Sequence, residues 1–352
     1  MTGRVRPGQV HINGKWLEQN LSGTQRYATE MVRKIAETGG LDLVLHVPKG
    51  AQPPEWAAAS GMKIRYAPVH GFVFEQLYLP VVTIGRTLLN FAGPAPLVKR
   101  RQYVTMHDAT PFRYPQTYRR TYVWFYFVLY FVLGRTAQQL ITVSNFSARD
   151  LADVLRLRRD RFLVAECAAD ALVNVSPSPP DLSLPDRYYL VVGTQARHKN
   201  LGAPIQSVAE SGRDVVVVGV AAGGRVYSQT SSLERHAIVP GRLSDAELVW
   251  LYRNAQALIF PSKYEGFGLP PLEAQVLGCP VVCSRAASLP EVCGDGALFF
   301  DPDDPESLLA ELEAIETKPG LVESLRRRGT VNAGRFSWQT SASRIVTNLR
   351  DG

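Results

Sequence analysis

The chain has 352 residues, 45% apolar and 20% charged, with a formal charge of +7. That length and balance describe a globular, soluble chain with room for two domains and real cores. They exclude a collagen-like repeat, a heptad fibre or a long low-complexity tract, and a charge this modest does not point to nucleic acid.

Met1, Arg4 and Arg6 are followed by no apolar segment, so no signal peptide is read and cytoplasmic residence is the expectation. Residues 9–14 read as a short strand and turn. Ser22, Gly23 and Thr24 precede an amphipathic helix with Tyr27, Met31, Val32 and Ile35 on one face and Arg26, Glu30, Arg33 and Lys34 on the other. Strands are expected over 41–47, over 102–106 ending at His107 and Asp108, and over 140–143, with a helix over 147–155. The Pro- and Ser-rich residues 176–185 read as a linker. Strand patterns restart at Tyr188 and recur over 188–193, 214–219, 236–239, 257–260 and 280–283, with helical patterns between and again after Trp338. Alternating strands and helices imply a parallel sheet wrapped by helices in each half, with ligands off the carboxyl ends of the strands. The expected fold class is α/β with two Rossmann-like domains, one over 1–175 and one over 188–335, joined by a linker over 176–187.

Residues 97–135 carry Lys99, Arg100, Arg101, Arg113, Arg119, Arg120 and Arg135 against one acid, Asp108. Between them runs the aromatic stretch 122–133, too short to span a bilayer. It fits a buried helix of the first domain or a helix touching an anionic membrane surface. Cys167, Cys279, Cys283 and Cys293 lack the close pairs and neighbouring histidines of a zinc site and read as buried thiols.

Residues 260–273 read Phe-Pro-Ser-Lys-Tyr-Glu-Gly-Phe-Gly-Leu-Pro-Pro-Leu-Glu. An apolar strand, a glycine loop and a helix start make a seat for a phosphate-bearing ligand. Gly266 and Gly268 let backbone approach it, Glu265 lies beside it, and Glu273 is placed to accept hydrogen bonds from a hydroxylated group such as a ribose. At the first strand end of the second half stand Gly193, Thr194, Arg197 and Lys199; a glycine followed by cations suits a diphosphate.

Glu265 and Glu273, set in this context, resemble the paired-glutamate motif of retaining nucleotide-sugar glycosyltransferases of the two-Rossmann-domain type, family 4. The segments around Gly193–Leu201, His107 and Gly23–Thr24 continue the resemblance, as do Phe74-Glu75-Gln76 and Asn13-Gly14-Lys15-Trp16-Leu17. They look like a subgroup acting in bacterial surface-polysaccharide assembly, many of whose members are mannosyltransferases. The resemblance implies the GT-B architecture, two domains facing a central cleft, with the acceptor on the first, the donor on the second, and residues 336–352 forming a helix that crosses back. It gives Lys199 the donor diphosphate, Glu273 the ribose, and Glu265 with the amides of Gly266, Phe267, Gly268 and Leu269 the sugar. His107 positions the sugar, and Gly23 and Thr24 approach the diphosphate. Where the family places an arginine before the lysine this chain has His198, so Arg197 stands one place away. The implied activity is retaining, metal-independent hexosyl transfer, without a cofactor, from a nucleotide-sugar donor to a saccharide or lipid-linked saccharide acceptor. GDP-mannose is the first donor, with UDP-sugars and dTDP-rhamnose open. A sugar-nucleotide epimerase and a non-catalytic homologue that binds donor or partner enzymes are the other classes.

Overall fold

A computed structural model describes residues 8–19, 22–219, 235–241 and 243–351. Asn20, Leu21 and Arg242, part of the resembling segments, lie outside the described residues. The chain divides into two compact units. Unit 1 takes the chain up to Phe112, then Arg120–Cys167, and then Trp338 onward; unit 2 takes Arg113–Arg119 and Ala168–Ser337. The division falls at Cys167, earlier than the expected 175, because residues 168–175 pack with unit 2.

Unit 1 is built on a parallel sheet of β1 (Val10–Asn13), β2 (Leu43–Val47), β3 (Lys63–Tyr66), β4 (Thr87–Asn90), β5 (Gln102–Thr105), β6 (Gln139–Thr142) and β7 (Phe162–Val164). Their order is β3-β2-β1-β4-β5-β6-β7. Unit 2 has β8 (Tyr189–Val192), β9 (Val215–Val218), β10 (Ile238–Gly241), β11 (Leu258–Phe260), β12 (Val281–Ser284) and β13 (Leu298–Phe300), in the order β10-β9-β8-β11-β12-β13. All pairings are parallel, with Tyr189–Val192 in register against Val215–Val218. The all-valine run of β9 is buried throughout, as a central strand covered on both faces requires. Unit 2 has apolar clusters on both faces, around Val191, Val217 and Leu312 and around Leu190, Val216 and Phe260.

β10 lies at 238–241 where 236–239 was expected, and β3, β4, β7 and β13 went unread. β3, Lys-Ile-Arg-Tyr at the sheet edge, is mostly exposed and has no buried face to mark it. The Trp338–Asp351 helix packs on the Gly23–Thr38 helix of unit 1. Trp338 is buried with its ring edge-on to Tyr27 at 5.7 Å, and the Tyr103 hydroxyl donates to Asn348 Oδ1 at 2.7 Å.

Both sheets reverse their winding at one place. In unit 1 the chain leaves β1 for β2 and β3, then returns to β4 on the other side of β1. In unit 2 it leaves β8 for β9 and β10, then returns to β11. The carboxyl ends of β1 and β4, and of β8 and β11, are therefore where an open parallel sheet leaves a crevice for ligand.

Candidate functional site

In unit 2 the two segments singled out from sequence follow the two strands at the reversal. Gly193 ends β8, and no atom stands within 4 Å of where its Cβ would be. Arg197–Lys199 forms a 3₁₀ turn closed by Asn200 at φ +53, whose side-chain amide donates to the carbonyls of Pro261 and Pro302. That clamp ties the β8 loop to the β11 loop. Its result is an ion pair: Lys199 Nζ donates to Glu265 Oε1 at 2.6 Å, both side chains largely withdrawn from solvent. Lys199 Nζ also lies 5.6 Å from the centre of the Phe260 ring. Charge-assisted bonds of this length are strong, and the pair fixes a cation at the crevice. Arg197 is exposed and His198 buried, so the two neighbours of Lys199 have different surroundings.

The glycine loop is held from below. The Ser288 hydroxyl shares its one hydrogen between the carbonyls of Glu265 (2.9 Å) and Phe267 (2.8 Å). Gly268 has φ +97 and caps the Leu269–Val276 helix; a Cβ there would come 2.5 Å from Leu289 Cδ2. Both the backbone conformation and the packing demand glycine. Because Pro270 and Pro271 have no N–H, the donors at this helix start come from the loop backbone before them. Glu273 is buried in that helix, and its Oε2 accepts from the buried Tyr252 hydroxyl at 3.0 Å. Gly193, Lys199, Glu265, Gly266, Phe267, Gly268, Leu269 and Glu273 thus share the β8/β11 end of unit 2.

Asp301 and Asp303 belong to a surface turn: Asp301 Oδ1 accepts from Asp303 N at 2.9 Å, and Asp303 pairs with Lys263. Among the described residues no group of His, Cys, Asp and Glu could hold a metal ion. All four cysteines are buried free thiols.

In unit 1 His107 follows β5, half-buried, with its ring edge-on to Tyr27 at 5.0 Å. Its Nε2 lies 2.9 Å from the Phe91 carbonyl, so Nε2 carries the proton. Burial pushes the imidazole below its ordinary pKa, against the opposing pull of that bond and of Asp108. Asp108 Oδ1 accepts from Thr110 N at 2.8 Å, closing the local turn. Gly23 and Thr24 open the Gly23–Thr38 helix, whose N-cap Ser22 makes no capping bond to the backbone, and no atom stands within 4 Å of the Gly23 Cβ position.

Sequence reasoning missed Tyr252, Ser288 and Tyr114, and gave Asn200 no role. Tyr114, in the 113–119 segment of unit 2, packs its ring against His198 (5.9 Å) and Tyr264 (5.7 Å).

The stretch 122–133 lies in the Arg120–Thr136 helix, which is neither fully buried nor fully exposed. Leu129 and Leu133 enter the core, while Trp124 is 68% exposed and Phe127, Val128 and Phe131 face outward with it. Among the described residues no helix is long and apolar enough to cross a membrane.

Residues 178–332 match the profile of the family described as glycosyl transferases group 1. O-antigen chain mannosyltransferase B of Escherichia coli is 28% identical over 276 residues, 73% of this chain and 71% of that protein. O-antigen chain mannosyltransferase RfbU of Salmonella typhimurium is 28% identical over 229 residues, 63% of each. The MMP alpha-(1->4)-mannosyltransferase of Mycolicibacterium hassiacum is 31% identical over 225 residues, 61% of this chain and 54% of that protein. Among solved structures, sucrose-phosphate synthase from Thermosynechococcus elongatus superposes with a TM-score of 0.75 at 17% identity, covering 98% of both chains. Anabaena Alr3699/HepE in complex with UDP-glucose gives 0.74 at 14% identity, covering 98% of this chain and 100% of that one.

Proposed function

We propose, for a chain that is a glycosyltransferase resembling bacterial polysaccharide mannosyltransferases, that it transfers a mannosyl group from GDP-mannose, with retention, to a saccharide or lipid-linked saccharide. The observation carrying this reading is the Lys199–Glu265 pair at the β8/β11 reversal, beside an open glycine and a glycine-capped helix start. A diphosphate needs a fixed cation and converging N–H donors, and a sugar needs a carboxylate near them. Lys199 takes the diphosphate and meets the charge that grows on it; Arg197, exposed on the same turn, assists. Glu273 accepts from the ribose through the carboxylate that Tyr252 orients. Glu265 and the amides of Gly266 to Leu269 take the sugar hydroxyls, and His107, Gly23 and Thr24 keep the roles toward the donor given by the resemblance.

In the reaction the bond from the sugar's anomeric carbon to the diphosphate oxygen breaks, and a bond to the acceptor oxygen forms on the same face. The acceptor hydroxyl's proton passes to the departing diphosphate. The reading calls on Lys199, loop amides and a helix terminus for the electrostatic work, and on no cofactor. Apolar side chains exposed on the Arg120–Thr136 helix, flanked by Arg119, Arg120 and Arg135, fit the interface of an anionic leaflet, where a lipid-linked acceptor would be met. Phe72, Leu77, Val81 and Ile84 (74% exposed) are further exposed apolar side chains of the same unit. The expected location is the inner face of the cytoplasmic membrane.

The test is release of GDP, UDP or dTDP from their sugar conjugates, with and without a mannoside acceptor. GDP release from GDP-mannose that rises with acceptor supports the reading. UDP or dTDP release instead would move the donor, and no release with any donor from folded protein would overturn the transfer.

A further inference from the structure

Unit 1 has its own reversal, at the carboxyl ends of β1 and β4, and buried side-chain amides run through it. Gln102 Nε2 donates to the Pro96 carbonyl at 2.7 Å and to that of Lys99. Asn90 Nδ2 donates to Gln102 Oε1 and to the Tyr103 carbonyl, each at 3.1 Å. Asn13 Nδ2 donates to Asn90 Oδ1 at 3.0 Å, and Asn13 Oδ1 accepts from Lys15 N at 3.0 Å. The Asn13 side chain is also hydrogen-bonded to the carboxyl of Glu75.

The chain ends there. Glu75 is 2% exposed, and its Oε1 is buried without a hydrogen-bond partner among the described residues. A buried unpaired oxygen is costly, and a network with one open end is worse than none. Closing the amide chain needs one acceptor atom, which the other carboxyl oxygen can supply; the second is left over.

Three features of the surroundings suit a ligand at that oxygen. Glu75 is carried on a π-helical turn, Phe74–Tyr78, within the helical stretch 71–82, and such turns cluster at functional sites. Gly93, beyond β4, has φ +83, and a Cβ there would stand 3.5 Å from Glu75 Oε1 and 3.6 Å from Lys15 Cγ. With Gln19 Nε2 at 4.0 Å, a methyl group there would fill the approach to Oε1 that glycine leaves open. Lys15 and Glu18 form a 2.6 Å ion pair next to it, still reached by solvent. Burial lifts the Glu75 carboxyl to about 8, against the pull of Lys15 and Asn13. At neutral pH it is a protonated acid, donor and acceptor at once, which matches a hydroxyl.

We propose that Glu75 contacts the acceptor: its open carboxyl oxygen pairs with a ring hydroxyl of the incoming saccharide, in a polar seat flanked by Lys15 and Glu18 and kept clear by Gly93. The proposal rests on the reading of unit 1 as the acceptor-binding half of a transferase. It is tested on the full chain by calorimetric titration with octyl α-mannoside, octyl glucoside and octyl galactoside, beside a titration with GDP.

Glu75→Leu weakens the saccharide bound by wild type about tenfold, the scale of one lost buried hydrogen bond. Glu75→Gln, whose amide also offers a donor and an acceptor, stays within about threefold. GDP affinity is the same in all three proteins. A folded Glu75→Leu protein that binds the saccharide as wild type does would overturn the proposal, as would equal losses for saccharide and GDP. So would wild type that binds none of the three glycosides. Should Glu75→Leu not fold, Glu75→Met, whose unbranched thioether repacks more readily in a buried site, is expected to give the same selective loss. Glu75-dependent saccharide binding without turnover of any nucleotide sugar would sink the transferase reading and leave the contact standing.

Discussion

The two sheets reverse their winding in the same way, yet the two crevices have opposite chemistry. At β8/β11 a lysine and a glutamate meet as charges, beside glycines and a helix start. At β1/β4 neutral amides lead through the interior to one carboxyl that burial keeps protonated. A fixed charge suits a charged diphosphate; a neutral acid suits a hydroxyl. The difference teaches that one architecture presents two chemistries by changing the side chains gathered near its strand ends, not by changing the strands.

The sharpest way to break this contrast is to remove the charge. Lys199→Ala should lower kcat by about 10²–10³, roughly 3–4 kcal/mol, as loss of one preorganised electrostatic group does. Steady-state nucleotide release measures it, and a drop under threefold would mean the cation lies elsewhere.

The neutral side is tested by pH. The Glu75 carboxyl is raised from 4.5 to about 8, so the stability tied to its proton is fully present below 4.5 and is lost as pH rises through about 8. Glu75→Gln removes this dependence. The stability of the variant relative to wild type should climb between pH 4.5 and 8, by on the order of 5 kcal/mol in urea unfolding. A flat difference would show a carboxylate that is charged and paired.

A third test uses the stacked pair on the neighbouring strands β1 and β2. His11 and His46 lie with ring centres 5.0 Å apart and His11 Nδ1 2.7 Å from His46 Nε2. Burial, with the nearby Arg65, Arg86 and Lys99, lowers His11 to about 4, and burial and His11 lower His46 to about 3. Groups with depressed folded-state values bind protons better unfolded, so unit 1 is at full strength above pH 6.5 and weakens as pH falls toward 4. Hydrogen exchange should show β1 and β2 loosening in that window before β8 and β9. Equal loosening of both sheets would contradict the assignment.

The smallest effect on stability should come from Trp124→Ser. An exposed side chain contributes within about 0.5 kcal/mol, yet flotation with vesicles rich in phosphatidylglycerol should fall several-fold if that helix meets a membrane. Flotation equal to wild type would remove the membrane from the account.

The charged crevice was legible in sequence and the neutral one was not. Gly193 to Lys199 and Glu265 to Glu273 each carry their chemistry within a few residues, next to an apolar strand, so local reading placed both. Phe74-Glu75-Gln76 and Asn13 were seen only as part of a resemblance. The amide chain joins positions 13, 75, 90 and 102, brought together by strand order, and no local pattern announces that an asparagine on one strand will meet another 77 residues later. Tyr252 behind Glu273 escaped for the same reason. The two-sheet fold followed from apolar strand runs alternating with helical patterns, but the mostly exposed edge strand β3 offered no such run. The division at Cys167 depends on which residues pack together, which sequence composition around the 176–185 linker does not reveal.

The most direct measurement is the thermal midpoint of wild type and Lys199→Ala with saturating GDP. Ligand that binds only folded protein raises the midpoint by mass action. The account predicts several degrees of stabilisation in wild type and little or none in the variant, each read against its own midpoint without nucleotide, which Lys199→Ala lowers by stranding Glu265. Equal stabilisation of the two proteins would contradict a diphosphate seat at Lys199, and no response of wild type to GDP, UDP or dTDP would contradict the nucleotide-sugar account itself.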